Sequence, residues 1–381
     1  MKVFHLSDLH LGKRINGYSM MDDQKFILKE ILSLVRQEAP QAVIIAGDVY
    51  DKATPTEEAV ALLDGFLSEL VDSPSSPRIF IIYGNHDSGE RLAFGNHLIE
   101  RSGVYISPVF NGEIKPVVLS DEYGEIAFYL LPFIKPLDVQ NAYKDTMIGN
   151  YTDAVREAIG HAELDATRRN VLIAHQFVTG AERSESEDII VGGLDNVDAS
   201  AFEGFDYVAL GHLHRPQAIP GKENIRYCGT PLKYSISEKD DEKGILMVEL
   251  GAKGTVEYRN IPLIPLHDLR EIKGTYEELT LKKNYEETNT DDYIHVVLTD
   301  ENDVTDAIGR LRTIYPNILT LEYRNTRTSG EARVKIIEKI EQKSDIEVLE
   351  SLYKMQNNQE MSAEQREFSE NIFRDIQEGK E

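Results

Sequence analysis

The sequence predicts an α/β protein of two stacked sheets with helices outside, followed by a small αβ unit and a helical tail. Two observations lead there. Five apolar runs of strand length each end in a polar cluster: "VFHLSDLH" (3–10), "AVIIAGD" (42–48), "IFIIYGNHD" (79–87), "NVLIAHQ" (170–176) and "FDYVALGHLH" (205–214). Between the first three lie helical stripes, Ile27, Ile31, Leu34 and Val35 in one and Val60, Leu63 and Leu67 in the next. That order is β-α-β-α-β, with strands buried on both faces by helices.

The later elements follow in chain order. Through "ISPVFNGEI" and "EIAFYLLPF", and again through "IRYCGTPLKYSIS" and "GILMVELGAKGTVEYRNIPL", short alternating strands predict a second, more antiparallel sheet packed on the first. This domain is expected over residues 1–264. Residues 265–328 read as strand "DLREIKG", helix "TYEELTL", strand "DDYIHVVLTD", helix "DVTDAIGRLRTIY" and strand "NILTLEYRN". From 329 to 381 the chain reads as helical, with one apolar stripe at Ile346, Leu349, Leu352 and Tyr353 and another at Phe368, Ile372, Phe373 and Ile376. A chain of 381 residues is long enough for two or three such units.

Composition narrows the setting. The lone cysteine, Cys228, excludes an intrachain disulfide and any cysteine-rich zinc module. It is expected to be a small buried residue. The start "MKVFHLSDLH" does not read as a signal peptide, and no apolar run has the length of a membrane span, so a cytoplasmic protein without membrane attachment is expected. With 66 acidic and 41 basic residues the net charge is −25, which argues against gripping nucleic acid by a broad basic surface. Many of the acids fall in "ERSESED" (182–188), in "EKDDEK" (238–243) and in the last hundred residues, where runs such as "YEETNTDD" read as solvated surface.

The five polar clusters carry the chemistry. In open α/β sheets ligands bind beyond the carboxyl ends of the strands, and all five clusters lie at that end. They supply Asp8, His10, Asp48, Asn85, His175, His212 and His214: two carboxylates, one amide oxygen and four imidazoles, without a thiolate. Two divalent ions need about that many ligands if one carboxylate bridges, and oxygen and nitrogen donors suit Mn2+, Fe2+ or Zn2+. The donor set leaves the choice among these open. Gly47, Gly84 and Gly211 each precede a ligand, where the strand must turn sharply. Each cluster alone is weak evidence; "DLH" or an isolated His-x-His is more often ordinary structure. Together and in this order they are specific.

Together they resemble the calcineurin-like metallophosphoesterase superfamily, whose D-x-H, G-D-x-x-D, G-N-H-D, lone His and G-H-x-H pattern matches "DLH", "GDVYD", "GNHD", His175 and "GHLH" over roughly residues 1–264. The superfamily fold is a two-sheet sandwich flanked by helices. Within it, "HLSDLHLGK", "AGDVYDKATP", "HLH" followed by "RPQ", "CGTPLKYS" and the appended unit resemble the SbcD family of bacterial nuclease subunits across nearly the whole chain. The resemblance implies one ion held by Asp8, His10 and His214, a second by Asn85, His175 and His212, and Asp48 as the bridge. It also implies a capping, DNA-binding role for residues 265–328, a homodimer through 56–71 or 90–101, and an SbcC-type coiled-coil ABC ATPase as partner of the tail, in DNA repair and recombination. The departure is Asp51, where archaeal and eukaryotic relatives carry a histidine.

Two such ions activate water, polarise a phosphodiester and stabilise its in-line displacement. Their charge outweighs that of Asp8 and Asp48, so a phosphate can be drawn into an acidic protein. His86 is not needed as a ligand. Asp87 is expected to orient it, and His86 to protonate or stabilise the leaving 3′-oxygen. His5, His97, His161, His267 and His295 are assigned to structure or surface. Lys13 and Arg14 read equally as a solvated pair or as phosphate contacts. No G-x-x-x-x-G-K-[ST] occurs, so ATP hydrolysis falls to another chain. Three functions remain: a DNA nuclease working with an ATPase, a phosphatase or small-molecule phosphodiesterase, and a binding protein with a dead site. The complete ligand set disfavours the last; the cap and tail, and a "GDVYDK" without the Asp-Arg pair of protein phosphatases, favour the first.

Overall fold

A computed structural model describes residues 1–184, 195–325, 346, 349, 350, 353 and 360–377. The chain divides into two compact units, Met1–Leu269 and Arg270–Glu381.

In the first unit, the apolar run Lys2–Leu6 is a strand paired in parallel with Ala42–Ala46 and antiparallel with Gly244–Leu250. Arg78–Ile82 and Val104–Ile106 extend the parallel side and Val256–Pro262 closes the other, completing six strands. A second six-stranded sheet runs in spatial order Gln217–Ile219, Lys222–Tyr227, Tyr207–Gly211, Arg169–His175, Gly124–Leu131 and Val117–Asp121.

The period-2 alternation of strands explains how the sheets stack. Val171 and Ile173 join Ile44, Phe80, Phe128 and Val248 in the core between the sheets. Leu172 and Ala174 face the other way, into a cluster with Tyr129, Val155 and Ala158. Phe80 and Phe128 stack across the interface with ring centroids 4.4 Å apart. Outside the first sheet, helices Met21–Glu38 and Glu57–Val71 bury Ile27, Ile31 and Val35 and Leu63, Phe66 and Leu70 respectively. Val60, expected on the buried stripe, is 45% exposed, because the face is set by Phe66 and Leu70, which lie to its other side.

One expectation is corrected. "GILMVEL" and "VEYRNIP" do not enter the second sheet; they form the antiparallel flank of the first. "NVLIAH" and "YVALG" instead run parallel at the centre of the second. Among the described residues each sheet therefore has three parallel and two antiparallel pairings. The alternation of apolar residues says that a strand is buried, and three of these four strands are buried almost throughout, so it cannot say which neighbour a strand takes.

The second unit holds a three-stranded sheet in the order Leu269–Gly274, Tyr293–Leu298, Ile318–Tyr323, with helices Tyr276–Thr280 and Ala307–Leu311. The order of elements is the one read from the sequence. Leu279, Ile294, Val296, Leu311 and Tyr315 form its core. Thr275 caps the first helix, accepting from the Glu278 amide at 3.2 Å while Glu278 returns the bond at 2.8 Å. Of the tail, Ala363–Gln377 is helical, with Phe368 67% and Ile372 44% exposed. Leu352 and the side chain of Ile376 lie outside the described residues. No helix among the described residues is long and apolar enough to cross a membrane.

An ion pair ties the two sheets together away from the polar clusters. Arg169, 3% exposed, donates to Asp121 Oδ2 at 3.1 Å and to the Gly124 carbonyl at 2.8 Å in the second sheet. It also donates to the Gly251 carbonyl, at the end of the first sheet's strand, at 2.9 Å. Burial alone would raise the Asp121 pKa, but the hydrogen bonds from Arg169 and the terminal amine hold it well below the usual carboxylate range. Asp121→Asn should therefore cost roughly 1.5–3 kcal/mol in urea unfolding at neutral pH, the worth of hydrogen bonds to a charged group. Because the folded-state pKa is depressed, this contribution is complete above the unfolded value of about 3.9 and fades as pH falls below it. The stability difference between wild type and Asp121→Asn should shrink below about pH 4; a difference constant down to pH 2.5 would contradict the pairing.

Candidate metal centre

All seven candidate ligands leave the carboxyl ends of parallel strands. Asp8 and His10 follow Lys2–Leu6, Asp48 follows Ala42–Ala46, and Asn85 follows Arg78–Ile82, all in the first sheet. His175 ends Arg169–His175, and His212 and His214 follow Tyr207–Gly211, in the second. The two sheets thus present their ligands toward each other at one end of the shared core.

The backbone there is unusual. Asp8, His10, Asp48 and His212 have φ of 53°, 44°, 48° and 102°, a region costing about 1–2 kcal/mol for each non-glycine residue. Neighbouring hydrogen bonds hold it in place: the Asp8 amide donates to the Gly47 carbonyl and the His10 amide to the Asp48 carbonyl, both at 3.0 Å. The His212 amide donates to both Asp8 carboxylate oxygens at 3.1 Å. Two glycines permit the close approach. A Cβ at Gly84 would collide with the Asp48 carboxylate, and one at Gly211 with the Ala46 carbonyl.

The donor atoms fall into two connected groups. His10 Nε2 and His214 Nε2 are 3.2 Å apart, and Asp8 completes a cluster with them. Asn85 Oδ1 lies 3.1 Å from His175 Nε2 and 3.0 Å from His212 Nδ1. Asp48 stands between the groups, with Oδ2 3.3 Å from His175 Nε2 and 3.9 Å from His10 Nε2.

Hydrogen bonds on the far side of the rings show that this set fits cations. His175 Nδ1 lies 2.8 Å from the Ala46 carbonyl, which can only accept, so Nδ1 carries a proton and, in the neutral ring, the lone pair on Nε2 points inward. His214 Nδ1 likewise faces the Glu238 carboxylate at 3.2 Å. His175 Nε2 then faces the Asn85 oxygen and the Asp48 carboxylate, and His214 Nε2 faces that of His10, an arrangement that calls for positive charge among them. The titration behaviour agrees. Burial would lower the His175 pKa, but the Asp48 charge and hydrogen bond raise it to about 9. Burial would raise Asp48, but His175, His10 and His86 hold it well below the carboxylate range. Burial pushes Asp8 up to about 6 and His212 down to about 3.

His86 sits at the rim, with Nε2 4.0 Å from Asp48 Oδ2. The orienting role expected of Asp87 is corrected: the Asp51 carbonyl lies 3.0 Å from His86 Nδ1. The Asp87 carboxylate accepts from the amides of Val49 (3.0 Å), Tyr50 (2.8 Å) and Gly84 (3.0 Å), so it braces the loops that carry Asp48 and Asn85. Asp51, at the position where a histidine was expected of distant relatives, takes Lys13 Nζ at 2.8 Å. Lys13 and Arg14, which donates to the Gly17 carbonyl, are both engaged within the chain. His5 is buried against the Tyr207 hydroxyl at 2.8 Å, a packed histidine as expected. Cys228 is buried as well.

Sequence reading missed the supporting residues. Glu238 and Lys243, at the two ends of the charged run "EKDDEK", are 0% and 6% exposed. Lys243 Nζ bonds Glu238 Oε2 at 2.6 Å and the His214 carbonyl at 2.8 Å. Gln24, from the first helix, donates to the His10 carbonyl at 2.7 Å and accepts from the Gly12 amide at 2.9 Å. Nothing in the local sequence marks these; only their burial distinguishes them from surface residues of the same type.

Comparison with known proteins agrees with the geometry. Residues 1–216 match the calcineurin-like phosphoesterase family, and residues 265–357 match a domain described as the type 5 capsule protein repressor C-terminal domain. The SbcD subunit of the nuclease SbcCD of Staphylococcus epidermidis is 34% identical over 365 residues, 95% of each chain. That of Staphylococcus saprophyticus is 33% identical over 376 residues, 98% of each. A solved dimetal phosphatase from Danio rerio is more distant, with TM-score 0.39 and 13% identity over 70% of this chain and 98% of that one.

The Glu238 network makes a testable claim. Glu238→Ala removes the nearer of two carboxylates from the buried Lys243 ammonium, leaving Asp241 at 3.6 Å, and should cost about 1–3 kcal/mol in urea unfolding. Pairing it with Lys243→Met should recover part of that loss. Glu238→Gln, which keeps the shape but weakens the hold on His214, should lower Mn2+ affinity roughly 10- to 100-fold by calorimetry. Unchanged affinity in Glu238→Gln would show that His214 is positioned by packing alone.

Proposed function

This chain belongs to the SbcD family of calcineurin-like phosphoesterases, and from that premise we propose that it is the metal-dependent DNA nuclease subunit of an SbcCD-type complex. The observation that carries the reading is the convergence of Asp8, His10, Asp48, Asn85, His175, His212 and His214 from both sheets, with the outer nitrogens of His175 and His214 occupied. Asp8, His10 and His214 would hold one divalent ion and Asn85, His175 and His212 the other, with Asp48 between; Mn2+ is the metal proposed. Bound there, such ions supply Lewis acidity and make water a competent nucleophile near neutral pH.

The chain's own groups do the remainder. Asp48 accepts from the His86 amide at 2.9 Å, which sets His86 relative to the ligands. With Nδ1–H donated to the Asp51 carbonyl, His86 presents Nε2 to the centre. Once protonated there, it can give that proton to the departing 3′-oxygen. The two nuclease relatives align over almost their full length, second unit included, which favours DNA over a small phosphate ester as substrate. The partner proposed is an SbcC-type ABC ATPase acting through residues 329–381, with the nuclease as a homodimer inside a heterotetramer.

Mn2+-loaded protein should cut a single strand and, with the ATPase, a hairpin duplex, while leaving phosphomonoesters largely intact. Fast phosphomonoester hydrolysis with untouched DNA would replace this reading with a phosphatase. His86→Ala should retain its metal by elemental analysis yet lose roughly 10²- to 10⁴-fold in kcat on DNA. The loss should be smaller on a 4-nitrophenyl diester, whose leaving group needs no proton. Equal losses on both substrates would leave His86 a positioning residue.

A further inference from the structure

Next to the Asn85 side of the centre the first unit has a cleft of about 490 Å³ that the reaction as described does not use. We infer that this cleft, walled by Tyr83, Phe110 and Phe133, is a stacking subsite for the unpaired nucleobase adjoining the scissile phosphodiester. The inference rests on the nuclease reading and names the residues that would hold the base of an unpaired nucleotide beside the ligand cluster.

The rings are fixed before any ligand arrives. The Phe133 amide donates to the Tyr83 carbonyl at 3.0 Å, tying the end of the Gly124–Leu131 strand to the loop that carries Asn85. The Phe133 ring stands edge-on to His175, with centroids 6.3 Å apart and planes at 84°. Its orientation is therefore coupled to a metal-ligand candidate. The Tyr83 hydroxyl accepts from the Phe110 amide at 3.1 Å, and a Cβ on Gly89 would come within 2.9 Å of the Tyr83 ring. All three aromatics are half-buried, packed on one part and open on another. Rings held this way stack a planar partner at little entropic cost.

Charge decides which part of a nucleotide fits. Glu90 and Asp138 line the cleft against the ammonium of Lys135, while the Asp87 carboxylate is already committed to three backbone amides. A second phosphate would be repelled by that balance, whereas a neutral base would not. The phosphate belongs at the ligand cluster, and Asn85 is common to cluster and cleft, so one nucleotide can span both. A base inside a duplex has both faces covered by its neighbours, and only an unpaired one can offer a face to Phe133.

An abasic site walked along a single strand tests this with the full-length Mn2+-loaded protein. At the position beside the cut, kcat/KM for the wild type should fall roughly 10-fold or more, the scale of a lost base–aromatic stack. Phe133→Ala and Phe133→Leu should show a similar loss on the intact strand, and the abasic site should then add little. Leu keeps bulk against His175, so agreement between the two variants separates stacking from collapse of the wall. In parallel, 2-aminopurine at that position should be quenched on binding to wild type and not to Phe133→Leu. An abasic walk without effect, or losses that multiply, would overturn the subsite. If the wild type cuts no DNA at all, the nuclease reading fails, and absence of 2-aminopurine quenching in the wild type overturns the subsite separately.

Discussion

The carboxylate of Asp48, 2% exposed and placed where the two sheets meet, is the constraint around which this molecule is arranged. A buried carboxylate is tolerated only when opposite charge and hydrogen-bond donors reach it. His175 from the second sheet approaches one oxygen at 3.3 Å, and the His86 amide from the first donates to the other at 2.9 Å. The His175 contact exists only because the sheets stack with their strand ends in register. The core between them, from Val3 and Phe80 to Ile173 and Val248, is what sets that register.

The strained loops depend on the same packing. Four ligand candidates sit in the left-handed region, and no local preference of Asp or His would keep all four there. They are held because each loop is bonded to the next: Asp8 to the Gly47 carbonyl, His10 to the Asp48 carbonyl, His212 to the Asp8 carboxylate. Asp87 adds three acceptor contacts beneath the Asp48 and Asn85 loops. Stability from the apolar core is thus converted into a site whose donor atoms are crowded closer than they would settle by themselves.

An acidic protein that acts on a polyanion is then less paradoxical than its net charge of −25 suggests. The groups that matter electrostatically are buried and few, and they are arranged to receive divalent charge. Surface carboxylates far from the cluster are screened beyond about 10 Å at moderate ionic strength. The surface can remain acidic while the pocket attracts a phosphate.

The sequence by itself determined the existence of the site. Apolar runs ending in "DLH", "GD", "GNHD", "AH" and "GHLH" identify strands and place polar groups at their carboxyl ends, because side-chain period and burial are local properties. The five-element order of the second unit was legible for the same reason. Tertiary structure alone decided which sheet each strand joins, since strands buried on both faces look alike whatever their neighbour. It also decided the partners at the site: that the Asp51 carbonyl and not Asp87 faces His86, and that Glu238 and Lys243, from a charged run, lie buried behind His214. Those facts depend on contacts between residues far apart in the chain, and a hydrogen bond across 24 or 35 positions leaves no periodicity for the sequence to display.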